Sequence, residues 1–189
     1  MCIQFDKVQP KNKTQLKQLI NYTFKHHIYD LNFIDTSKIT DMSWLFENVK
    51  HNFDISSWDV SNVKDMSYMF QFCYDLNCDL SGWDVSNVTN TKYMFACCEK
   101  FNCDLSNWDV SNVTNMSHMF FYCENFDINC FKSWDVSNVE NTTYMFYNCK
   151  NFNCNLSDWD ISNMTRWKNI FCGCDKMTIP NWYKLYHKK

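Results

Sequence analysis

A chain of 189 residues that is 46% hydrophobic and 18% aromatic is long and apolar enough for one continuous folded body. With only 2 Gly and 2 Pro it argues against a turn-rich sandwich, and a formal charge of -3 gives no basic surface for nucleic acid or an anionic membrane. No apolar run reaches the roughly 18 residues a membrane span needs, so no transmembrane segment is expected.

The first residues, MCIQFDKVQPKNK, lack the apolar stretch of a secretory signal. That favours an intracellular, reducing location, with virion or surface association open. Residues 1–33 read as an N-terminal helical cap. Within NKTQLKQLINYTFKHH, Leu16, Leu19, Ile20 and Phe24 share one helical face, which can shield whatever follows.

Residues 34–174 read as six copies of one unit. Trp58, Trp83, Trp108, Trp134 and Trp159 are spaced by 25, 25, 26 and 25 residues, and each opens WDVSN or WDISN. Phe70, Phe95, Phe120, Phe146 and Phe171 follow twelve residues later, and Cys73, Cys98, Cys123, Cys149 and Cys174 three after those. A degenerate first copy starts at Ile34, where IDTSKITDMSWLF stands for WDVSNVKDMSYMF. An atypical end unit is what a stacked array requires.

Within a unit, Val63, Met66, Met69, Phe70 and Cys73 form one stripe of a short helix or 3₁₀ turns, with Asn62 as N-cap and Asp65 in the first turn. Phe101, Cys103 and Leu105 alternate with Asn102 and Asp104, the period of a very short strand. The expected fold is therefore a repeat solenoid: short parallel strands on one face, short helical or 3₁₀ turns on the other, equivalent residues in ladders. The unit from Phe126 to Trp134 carries one extra residue. Residues 175–189 read as a C-terminal cap, with Trp182, Leu185 and Tyr186 over the last unit and Lys184, His187, Lys188 and Lys189 as a small basic tail.

The phrase WDVSNVTNMSHMFFYC, with companions such as FNCDLSNW, resembles the BspA-like leucine-rich repeat family in its 25-residue form. The resemblance covers residues 34 to about 174 and implies a leucine-rich-repeat-like solenoid with a surface or adhesion role. Unlike secreted members, this chain shows no signal or lipid-attachment sequence, and it carries Cys78, Cys103 and Cys154 where relatives commonly have Gln.

The 12 cysteines include no paired CxxC, so no metal site is expected, and no cofactor. Most recur in two repeat columns, as small buried thiols would; disulfides between neighbouring coils are the alternative. Asp59, Asp84, Asp109, Asp135 and Asp160 suit hydrogen bonding at a corner better than calcium, whose β-helix repeats are rich in glycine. The asparagines of Asn-x-Ser/Thr at Asn87, Asn112, Asn115 and Asn141 are copies of one turn sequence. The five histidines share no column and no nucleophile motif occurs, so the chain reads as no enzyme.

The binding surface expected is the outward strand face, an Asn/Asp ladder of Asn52, Asp54, Asn77, Asp79, Asn102, Asp104, Asn153 and Asn155. The function this supports is non-enzymatic recognition or adhesion, with a protein or a glycan as partner. The alternatives are a structural component of a virion or cell envelope, and an intracellular adaptor for host proteins.

Overall fold

The computed structural model describes residues 7–127 and 131–186. Helix α1, Lys13–Lys25, starts at Asn12, whose side-chain oxygen accepts the Gln15 amide N–H and so satisfies one of the orphan donors of the first turn. Leu16 and Ile20 are buried, and Leu19 and Phe24 pack against the same core. The Phe24 ring reaches those of Phe46 and Phe53, which binds α1 to the first coil.

Beyond α1 the chain winds in coils that stack through their backbones. The N–H groups of Met66, Tyr68, Phe70 and Phe72 donate to the carbonyls of Asn90, Lys92, Met94 and Ala96 at 2.8 to 3.0 Å. One coil on, Thr91, Tyr93, Phe95 and Cys97 do the same to Asn115, Ser117, Met119 and Phe121. Inside the coil, Met69 donates to Met66, Gln71 to Tyr68 and Cys73 to Phe70, a chain of overlapping turns. Tyr68 (φ 60°) and Phe72 (φ 61°) stand at the third positions of the turns 66–69 and 70–73, where a type II turn requires a left-handed residue. These left-handed residues turn every second amide along the stack, so backbone groups are satisfied between coils and not within a helix.

This corrects the expected fold class. Among the described residues there is no sheet, and strand character is limited to isolated parallel bridges. The bridges Asp41–Asp65, Asp65–Asn90, Asn90–Asn115, Asn115–Asn141 and Asn141–Arg166 fall in the stretch expected to be helical; the expected strand stretch carries one bridge among the described residues, Asp30–Asp54 in the first coils, and none at Phe101–Leu105. A leucine-rich-repeat-like solenoid of strands facing helical turns is therefore not what the chain builds. Two physical reasons account for the error. The apolar spacing of 3, 3, 1 and 3 is met equally by a helix and by successive three-residue turns, and Asp65 accepts the Ser67 amide at 2.7 Å, a local bond that competes with helix formation. Asn62 is no N-cap either: its Nδ2 donates to the Ser37 carbonyl of the coil before.

The core is a set of columns running along the stack. Phe46, Phe70, Phe95, Phe120, Phe146 and Phe171 stack ring on ring, centroids 5.5 to 6.1 Å apart and planes within 10°. Burial of each phenylalanine contributes about 3 kcal/mol as an upper bound. The indole N–H groups of Trp58, Trp83, Trp108, Trp134 and Trp159 donate to the carbonyls of Leu31, Ile55, Leu80, Leu105 and Phe131 in the preceding coil. Trp182 donates to Leu156 in the same way, and Met177 bonds to Cys174 as Phe152 does to Cys149, so the columns run on past residue 174. The longer unit is accommodated by a 3₁₀ turn, Phe131–Ser133, which sets Phe131 in the column of Leu80 and Leu105 and keeps Trp134 in register.

The two ends differ. The first coil has carbonyls with no coil before them, and α1 brings Lys17 to those of Trp44 and Leu45 and Lys13 to Asp41 and Ser43. Burial lowers the Lys17 pKa, against the opposing pull of Glu47. At the other end helix α2, Asn181–Tyr186, lays Trp182 and Tyr183 over the Phe171 ring. Of the basic tail, His187, Lys188 and Lys189 lie outside the described residues. Among the described residues no helix is long and apolar enough to cross a membrane.

Candidate functional site

The eight Asn/Asp positions are all exposed, but they lie on irregular backbone and not on a strand face; Asp54 alone of them takes part in a bridge, to Asp30. A shallow depression of about 430 Å³ gathers Asn52, Asp54, Asn77 and Asp79, with Tyr29 and Asp30 at its edge. A second, of about 270 Å³, adjoins it and is lined by Asn77, Asp79, Asn102, Cys103 and Asp104. Asn153 and Asn155 line neither of the two.

These side chains already carry internal bonds. The Oδ1 atoms of Asp54, Asp79 and Asp104 accept the amides of Ser56, Ser81 and Ser106, and Asn155 accepts that of Ser157. Asn52 accepts the Asn77 amide of the next coil, and Asn102 that of Asp127. The Ser81 hydroxyl and amide hold the Asp79 carboxyl below its usual range, so it is ionised at neutral pH. Oδ1 of Asp79 and of Asp104 is committed to the turn, and both residues are exposed and line the second depression.

The corner aspartates behave as expected of turn formers: Asp59, Asp84, Asp109, Asp135 and Asp160 accept the amides of Ser61, Ser86, Ser111, Ser137 and Ser162. Asn87 and Asn112, two of the asparagines in the Asn-x-Thr matches, use their Nδ2 on carbonyls of the preceding coil. The cysteine column is also internal. Cys73, Cys98, Cys123, Cys149 and Cys174 donate Sγ–H to carbonyls one coil back at 2.8 to 3.0 Å, and these five are thiols outside any disulfide. Burial pushes the Cys73 and Cys174 thiols up to about 12, which leaves them protonated and poor nucleophiles. Among the described residues no group of His, Cys, Asp and Glu could hold a metal ion.

A second surface went unnoticed in the sequence. Trp44, Tyr68, Tyr93, His118 and Tyr144 form an outer row, with successive ring centroids 3.8, 4.8, 4.1 and 5.1 Å apart. All five hold left-handed φ angles of 56 to 61°. The signal was available, since each stands two residues before a column phenylalanine; His118 shares no column with other histidines because its column is aromatic. Burial, helped by the Lys92 charge, lowers the His118 pKa to about 4, and its Nδ1 is buried without a partner.

A family profile described as a Mycoplasma protein of unknown function, DUF285, matches residues 14–130 and again 87–182. The chain belongs to the DUF285 family. The two matches overlap over residues 87–130, as tandem copies of one unit allow, and together take in α1, every coil and the start of α2. No curated protein and no solved structure matches this DUF285 chain.

Proposed function

We propose that this DUF285 protein is a non-enzymatic recognition module that holds a protein or glycan partner on its Asn/Asp face. The observation that carries the reading is the pair of adjoining depressions lined by exposed aspartates, Asp79 in both and Asp104 in the second, each of which uses only Oδ1 in its turn. Charged acceptors repeated once per coil suit a ligand with repeated donors, such as sugar hydroxyls or the amides of an extended peptide. The likeness of WDVSNVTNM to BspA-like surface proteins supports an adhesive role for such a face.

The test exploits Asn155, which forms the same turn with Ser157 as the aspartates do with theirs. Asp79→Asn with Asp104→Asn keeps the turn acceptor and replaces the other carboxylate oxygen by a donor. On arrays of immobilised glycans and of extracellular-matrix proteins, the unaltered chain should capture one class. The double variant, with unchanged melting, should lose roughly tenfold or more in affinity, as expected for two charged hydrogen bonds. Equal capture by both proteins would remove the face from consideration.

A further inference from the structure

The outer ring row departs from the rest of the repeat in a way that packing does not require. One row over, the first three coils carry Glu47, Gln71 and Ala96, residues that leave the surface polar or bare; the next two carry Phe121 and Tyr147. There the rings run together: Phe121 lies 5.4 Å from His118, 5.3 Å from Tyr147 and 4.7 Å from Tyr122, and Tyr147 lies 5.4 Å from Tyr144. His118, Phe121, Tyr144 and Tyr147 are half-buried, while Tyr122 stays 36% exposed. The result is a continuous aromatic patch over two coils.

Backbone conformation points the same way. His118, Tyr122 and Tyr144 sit at φ 58°, 58° and 56°, a region that disfavours large side chains. The chain has cheaper occupants for these rows, since Asn169 ends the row of His118 and Tyr144, and Asn48, Asn148 and Gly173 stand in the row of Tyr122. Keeping rings there strains the backbone and exposes apolar area, a combination expected of a binding surface.

Charge decides the occupant. Along one flank Lys92, Arg166 and Lys168 stand in rows that the neighbouring coils fill with Asn90, Asn115, Asn141, Ser117 and Thr143; the acids of these rows, Asp41 and Asp65, belong to the first two coils, away from Phe121 and Tyr147, where Asp41 pairs with Lys13 and Asp65 accepts from Asn90. None of the three cations has an ion-pair partner among the described residues; the Lys92 ammonium lies 5.6 Å from the Tyr68 and Tyr93 ring centroids. The acids nearby lie elsewhere: Glu124, on the opposite flank with Glu99, is paired with Lys150, and Glu140 lines a separate depression with Thr114 and Thr165. The ring faces of Tyr93, His118 and Tyr144 are stacked on one another, so no open face remains between them for a sugar. What is offered is edges, hydroxyls and apolar area, the composition of a protein interface.

We propose that the patch of His118, Phe121, Tyr122, Tyr144 and Tyr147, flanked by Lys92 and Lys168, docks an extended segment of a partner protein bearing carboxylates beside aromatic or aliphatic side chains. The partner's acids lie toward Lys92 and Lys168 and its apolar side chains over Phe121 and Tyr147. This surface is independent of the Asn/Asp face.

The full chain is panned against a random peptide library displayed on phage, and the enriched peptides are synthesised. They should pair Asp or Glu with aromatic or aliphatic residues. The variant Phe121→Gln, Tyr147→Ala and Lys168→Ser, built from residues that other coils carry in the same rows, should weaken their binding about thirtyfold, the loss of one hot spot. Lys168→Glu alone tests the charge without touching a ring, and should weaken binding and reduce its salt dependence. The Asp79→Asn, Asp104→Asn protein should bind these peptides unchanged, which separates this surface from the Asn/Asp face. No enriched peptides, basic peptides, or acidic ones indifferent to Lys168→Glu would overturn the proposal.

Discussion

Cys97 offers a substitution whose sign depends on the local backbone. Its φ is 61°, its amide donates to the Phe121 carbonyl at 2.7 Å, and its half-buried side chain lies outside the core cluster. Replacing it with Gly and, separately, with Ala removes the thiol in both cases and leaves only the backbone preference as the difference. A left-handed residue with a β-carbon costs about 1 to 2 kcal/mol, and glycine loses about 0.5 to 1 kcal/mol in extra unfolded-state entropy. Cys97→Gly should therefore be more stable than Cys97→Ala by about 0.5 to 1 kcal/mol. If this stretch were the helix that its apolar spacing suggests, Ala would win by about 1 kcal/mol. Urea unfolding followed by tryptophan fluorescence, compared at equal slopes, reads the sign. A more stable alanine variant refutes the stacked-turn description of the coil. Gly173, at φ 78° in the same row, shows that the fold accepts glycine there.

Trp108→Phe keeps a ring in the column but leaves the Leu80 carbonyl without its 2.9 Å donor; it should cost about 2 to 3 kcal/mol in the same assay, and a loss within error would mean that water replaces the bond. His118 binds its proton near pH 6.5 when unfolded and only near 4 when folded, so the unfolded chain takes up more protons across that window and stability falls as pH drops through it. Discounted for the half-exposed site, the loss is about 1 to 2 kcal/mol. His118→Asn, the residue that ends the row, should flatten the stability profile between pH 6.5 and 4, and an unchanged profile would show that other groups cause the drop. Among the described cysteines, maleimide labelling of the native chain should reach exposed Cys172 first and the column from Cys73 to Cys149 only on unfolding; rapid native labelling of that column would contradict its burial.

The unit length, the Trp, Phe and Cys columns and the helical face of Leu16 and Ile20 were all legible in the sequence, because identical residues at equal spacing must meet when copies stack. The outward setting of Asn102 and Asp104 was legible for the same reason, since Phe101 and Leu105 beside them are buried. The ring row obeys the same spacing, but its positions are filled by Trp, Tyr and His in turn, so no single residue type marks it as a column.

The sequence by itself thus determined which residues share a column and that the columns form the core. Tertiary structure decided what the backbone does between them. A 3, 3, 1, 3 apolar pattern satisfies both a helix and a run of turns, and only the carbonyls of the next coil, waiting at every second residue, favour the turns with their left-handed Tyr68 and Phe72. The same choice placed the parallel bridges at Asp65 and Asn90 and left most of the Asn/Asp face on irregular backbone. It also set Tyr93, His118 and Tyr144 ring to ring on the surface, since a left-handed residue in one coil lies directly over its counterpart in the next.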